Sequence, residues 1–186
     1  KEQFEKYWED ISPFIKYGMM QNDDFYNKVK DVVMFKSSTG KLTTVEEYLE
    51  RNKANLENKV IYCENEDVQS TYVKLCQDQG LEVIFLQSVI DTHFIQFLES
   101  KLTDVKFSAV DSEISELLVD DKKKSDIVDK DNKTTSQKIE EIFKNALNND
   151  KLKIEVKSLK SETTSAMVIE SEQMKRLKAM SSFMQG

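Results

Sequence analysis

The chain has 186 residues, of which 39% are hydrophobic and 33% charged, and its formal net charge is −7. That is enough chain for one or two domains with real cores, and too apolar for an unfolded one. The acidic balance excludes the basic footprint of a nucleic-acid binder, and no run approaches the roughly 20 apolar residues of a membrane span.

Phe4, Tyr7, Trp8, Ile11 and Ile15 fall at i, i+3, i+4, i+7 and i+11, which is one apolar face of a helix. Gly18 is placed to stop it. Pro13 lacks an N–H and crowds the preceding turn, so a kink or break is expected there, with Ser12 capping a second piece. Phe25, Val29, Val32 and Val33 predict a short helix, Met34 to Ser37 an extended segment, and Ser38 to Lys41 a turn. Thr44 with Glu47 three residues later is a capping box, and Val45, Tyr48 and Leu49 supply the inner face of the helix it opens.

From Val60 the pattern alternates. Val60–Cys63 reads as a strand, and Asp67 to Gln79 as a helix with Val68, Tyr72, Leu75 and Cys76 inward and Gly80 as its stop. The nearly continuous apolar run Leu81–Leu86 reads as a strand covered on both faces. Asp91 to Leu102 is a helix carrying Phe94, Ile95, Phe97 and Leu98, and Lys106–Val110 is a last strand. Strands alternating with helices predict an α/β fold with a mostly parallel sheet.

Residues 119–135 crowd five Asp and five Lys around Val119, Ile127 and Val128. Such a run builds no core and is expected to be a linker. Beyond it, Ile139, Ile142, Phe143, Ala146 and Leu147 form a helical stripe. Leu152, Ile154 and Val156 alternate with charges as in a half-buried strand, Ala166 to Ile169 predict a second strand, and Ser171 can cap a helix from Glu172 to about Met184. The expected division is therefore 1–118, an α/β/α unit preceded by short helices; 119–135, a linker; and 136–186, a small α+β unit.

Chemistry-bearing motifs are few. Ser37–Thr43 lacks the glycine spacing of a phosphate loop, since Phe35 precedes it and Leu42 follows Lys41. His93, the single histidine, has no cysteine at ligand spacing. Cys63 and Cys76 show neither a metal spacing nor a CxxC motif, and they read as buried thiols of a reducing, cytoplasmic protein. No catalytic, cofactor or metal residue is assigned. Met174, Leu177, Met180 and Met184 share one face of the last helix, flanked by Phe183. Trp8, the single tryptophan, reads first as a packing residue and second as part of an exposed surface.

Three stretches carry a resemblance: Phe4–Gly18, Leu81–Asp91 and Val168–Met180. Their wording resembles the heat-shock protein 90 family, in its bacterial HtpG branch, and the similarity runs through essentially the whole chain. The resemblance implies a fragment of an ATP-dependent chaperone. Residues 1–118 would be the distal part of its middle domain, and 136–186 the start of its C-terminal domain. The opening at Lys1 rather than Met fits a fragment. ATP, magnesium and the catalytic residues would be bound upstream, so this piece would be no enzyme and hold no cofactor. The main dimer-forming helices would lie downstream of Gly186. The partners implied are partly folded client proteins and, in the parent, a second subunit, with no nucleic acid and no membrane. The client-contacting candidates are Met174, Leu177, Met180, Phe183, Met184 and Trp8. Two other classes stand beside this one: a small doubly wound nucleotide-binding module or enzyme, and a structural spacer. The acidic turns Glu64–Asp67 and Gln87–Asp91 carry no glycine and count against the first of these.

Overall fold

The structure, a computed structural model, describes residues 2–112, 134–149, 151–158 and 165–184, without the side chains of residues 2, 3, 179, 180 and 182–184. It forms two compact units: Lys1–Ile114 together with Val168–Gly186, and Ser115–Met167.

The first unit begins with α1 (Glu2–Lys6) and α2 (Trp8–Gln21). The break falls at Tyr7 rather than at the proline. Pro13 stands in the second turn of α2, where little more than its own bond back to the preceding turn is forfeited. Ser12 does not cap a second piece but is buried. Gly18 does not end the helix either. A side chain there would lie 3.1 Å from the Phe25 ring, so the glycine admits the close approach of α3 (Asp23–Val29). Asn22 caps α3 by accepting the Phe25 N–H at 2.8 Å, and a 3₁₀ turn, Lys30–Val32, follows.

Strands β1 (Phe35–Ser37) and β2 (Leu42–Thr43) form a hairpin whose turn places Gly40 at a φ of 79°. Helix α4 (Val45–Leu56) opens on the expected capping box, with Thr44 and Glu47 exchanging two hydrogen bonds of 3.2 Å. Next come β3 (Lys59–Cys63), α5 (Glu66–Asp78), β4 (Ile84–Phe85), α6 (Asp91–Lys101) and β5 (Lys106–Ala109). The sheet order is β2-β1-β4-β3-β5. β3 is parallel to β4 and β5, and β1 is antiparallel to β2 and β4, so only β1 runs against the rest. This is the α/β, mostly parallel arrangement expected from the alternation.

Val60, Ile61, Tyr62 and Cys63 are all buried, so both faces of β3 are covered. All six residues of Leu81–Leu86 are buried too, but only Ile84 and Phe85 pair as a strand. Val83 turns aside to bond Ser38, through the Ser38 N–H and hydroxyl. The inner face of α5 is rotated from expectation. Gln69, Val73, Leu75 and Cys76 are buried, whereas Val68 is exposed. Gln69 is accommodated because its amide is satisfied by Glu64 N–H, Asn65 N–H and Asp111. Both cysteines are buried, and burial pushes their thiols up, to about 11 for Cys63 and about 12 for Cys76.

In the second unit, α7 (Thr135–Leu147) is opened by a capping box of Thr134 and Gln137. Residues 119–133 of the charged run lie outside the described residues, and Thr134 and Thr135 belong to the start of α7. The two strands expected at Leu152–Val156 and Ala166–Ile169 do not form. Alternation marks a two-faced segment, but a strand exists only where a neighbour takes its backbone groups. The last helix, α8 (Glu172–Met184), belongs to the first unit rather than grouping with residues 136–167.

Candidate functional site

Helix α8 is docked on the sheet unit through its charged residues. Ser171 opens it, accepting the Met174 N–H at 3.3 Å. Glu172, in the first turn, accepts from Ala109 N–H at 2.8 Å, from Tyr62 hydroxyl at 2.7 Å and from Ser112 hydroxyl at 3.1 Å. One turn on, Arg176 donates to Glu172 at 2.9 Å, to both oxygens of Glu99 at 2.6 and 3.1 Å, and to the Phe107 carbonyl at 3.2 Å. Lys175 pairs with Asp111 at 2.5 Å. Burial by itself pushes the Glu172 carboxyl up, but the donated bonds from Ala109, Tyr62 and Arg176 outweigh it and hold the group below its ordinary value. The same surroundings push the Tyr62 hydroxyl strongly up, first by burial and then by the Glu172 charge.

With Glu172 and Arg176 facing in, Met174 and Leu177 face out. Met174 is 48% exposed and Leu177 60%. Val168 and Ile169, in the segment leading into α8, are exposed as well. The side chains of Met180, Phe183 and Met184 lie outside the described residues. Trp8 offers no surface. It is 2% exposed, and its indole N–H donates to the Met34 carbonyl at 2.8 Å, which corrects its place among the client-contacting candidates. The exposed aromatic residues of this region are Tyr7, Phe14 and Tyr17 instead. Tyr17 lies off the i, i+3, i+4 stripe, whereas Phe14 stands three residues after Ile11 and was open to that spacing.

A second polar cluster lies under α2. Lys16 and Asp91, 3% and 1% exposed, form a 2.6 Å ion pair beside a cavity of about 250 Å³ that Trp8, Phe85 and Ser88 also line. Burial pulls the Lys16 ammonium below the ordinary lysine value, and Asp91 opposes that shift. Ser88 Oγ is the buried side-chain polar atom without a partner among the described residues. Asp91 also accepts the N–H groups of Gln87 and Ser88, at 2.9 and 3.1 Å. Those amides lie beyond the end of a parallel strand, where a doubly wound fold holds phosphate, and here a carboxylate of the chain itself occupies that position. His93 is exposed on α6. Among the described residues no group of His, Cys, Asp and Glu is arranged to hold a metal, and no helix is long and apolar enough to cross a membrane.

A family model described as Hsp90 protein matches residues 1–186. The chaperone protein HtpG of Bacteroides fragilis strain YCH46 is 31% identical over 193 residues, covering 99% of this chain and 28% of that protein. The HtpG proteins of Bacteroides thetaiotaomicron and Porphyromonas gingivalis strain W83 are 30% and 26% identical, over 100% and 98% of the chain. The chain thus spans 28% of the length of these relatives. Among solved structures, the middle domain of a Plasmodium falciparum heat shock protein shares the fold, with a TM-score of 0.50 and 18% identity over 60% of this chain and 49% of that one.

Proposed function

We propose, for a chain that belongs to the Hsp90 family, that it is the part of an HtpG-type chaperone that presents a surface to partly folded proteins and relays the motion of an ATP-driven dimer. Residues 1–118 serve as the distal middle domain and 136–186 as the start of the C-terminal domain, with α8 reaching back onto the sheet. ATP, magnesium and the catalytic groups are supplied by the parent outside this chain, which itself performs no hydrolysis. The parent acts in the cytoplasm as a homodimer.

The outward stripe of α8 is the observation that carries this reading. A soluble helix normally hides its large apolar side chains, and Met174 and Leu177 are left in water while Glu172 and Arg176 are drawn in. Methionine adapts its shape to irregular partners, which suits a surface that takes many of them. The test is Met174→Ser combined with Leu177→Ser in the full-length parent. Suppression of aggregation of an unfolded protein should fall, while thermal stability and ATP turnover hold. Unchanged suppression would remove α8 from client contact.

A further inference from the structure

Strand β5 is the edge of the sheet beside β3, and its backbone accounting is complete without a further strand. The parallel register turns Lys106, Ser108 and Val110 toward β3, with Lys106 N–H on Asn58 and Val110 N–H on Tyr62. Phe107 and Ala109 therefore face outward with four backbone groups. Glu99 accepts the Phe107 N–H at 2.8 Å, and Arg176 donates to the Phe107 carbonyl at 3.2 Å. Glu172 accepts the Ala109 N–H at 2.8 Å, and Ser112 donates to the Ala109 carbonyl through its N–H at 3.0 Å. Glu99, Arg176 and Glu172 are themselves one continuous ion-pair chain. Two of these three edge-binding side chains come from α8.

We propose that β5 is a strand-addition site for extended polypeptide segments carrying Lys or Arg at alternate positions, and that α8 covers its Phe107 carbonyl and Ala109 N–H and bares these two groups by undocking. An uncovered edge is a template for another chain, and natural proteins cover such edges to prevent pairing. Here the cover is held by charge pairs on one side of a helix, a reversible closure. Strand addition draws its affinity from main-chain hydrogen bonds, so it tolerates many sequences. Charge selects within that range. When α8 leaves, Arg176 and Lys175 leave with it, and Glu99 and Asp111 stay beside the strand. The bared edge is acidic and fits a basic segment. This inference rests on the chaperone reading only for the source of that segment, a partly folded protein.

The test is run on this chain with a fluorescent peptide of alternating Lys and Val. Arg176→Gln should speed amide exchange at Ala109 about tenfold or more, while Phe107, whose N–H stays on Glu99, and Val60, Ile61 and Val110 remain protected. The peptide should bind this variant about tenfold more tightly than the wild type and restore protection at Ala109. Adding Ala109→Pro should abolish binding, because proline removes an outward N–H and none of the bonds to β3. Should Arg176→Gln not fold, Arg176→Lys keeps the charge, loses the forked donor and carries the same comparison. A bared Ala109 amide with no gain in peptide affinity overturns the proposal. So does binding that survives Ala109→Pro, and so does self-association of the variant that excludes the peptide. Peptide binding without aggregation suppression by the parent keeps the edge site and removes the chaperone reading; suppression without peptide binding does the reverse.

Discussion

Helix α2 sends Trp8 and Met19 into the core, while α8 turns Glu172 and Arg176 inward and leaves Met174 and Leu177 in water. Both helices carry an apolar stripe in sequence. What differs is the surface each one meets. α2 packs against α6 and covers the Phe35–Phe94 aromatic pair, a largely apolar floor that encloses the Lys16–Asp91 ion pair. α8 meets an open strand edge, whose outward N–H and C=O groups need partners. A buried unsatisfied group costs about 1–3 kcal/mol. Leaving a large apolar side chain exposed forgoes about 1.5–3 kcal/mol. The two terms are of one size, so a helix can dock by its polar side, and the docking is then readily reversed.

The comparison is broken most severely at Lys16. Lys16→Met removes the partner of a fully buried carboxylate and should cost about 3–5 kcal/mol, read as a lowered urea midpoint. A loss under about 1 kcal/mol would mean that water reaches Asp91 and that α2 is not sealed. Arg176→Ala should cost less, about 1.5–3 kcal/mol, because its network is partly wet. The loss should be local, with faster exchange at Ala109 and slight change elsewhere. Global unfolding of equal size would show α8 to be as integral as α2.

Acid should separate the helices more gently. The Glu172 carboxyl is held below its ordinary value of 4.5 in the folded chain. Its contribution is therefore fully present above that value, and it is lost as pH falls through the depressed one. Titration from neutral pH downward should release α8 below about pH 4.5, read from the Ala109 amide. Release on raising the pH would contradict the assignment. Met174→Ser with Leu177→Ser should change the stability of this chain least, within about 0.5 kcal/mol, since both side chains are exposed. A loss of several times that size in a thermal melt would make the stripe ordinary core.

Much of the architecture was legible along the chain because it is written locally. The Thr44–Glu47 box, the stop at Gly80 and the alternation of strands and helices from Val60 to Ala109 depend on neighbours a few residues apart, and their order is the one periodicity gives, with the Leu81–Leu86 strand shortened to Ile84–Phe85. Thr134 with Gln137 carries the same signal and was open to the same reading. The Lys16–Asp91 pair was not legible. The two residues are 75 positions apart, and a lysine inside α2 violates the polarity pattern until its partner is known. The candidate site divides in the same way: the Met174–Leu177 stripe was visible, but the edge of β5 that orients it was not.

The sequence by itself determined most of the helices and strands, the covered character of the central run and the family, since these follow from local pattern and wording. Tertiary structure alone decided which face of each helix points inward. It buried Ser12, Lys16 and Gln69, which composition places outside, because each finds a partner or a packed niche there. It withheld strands from Leu152–Val156 and Ala166–Ile169 and turned α8 to satisfy β5. The physical reason is common to all of these outcomes. Hydrophobic period reports what a segment prefers, whereas a buried polar group or a strand edge is settled only by the partner that folding brings to it.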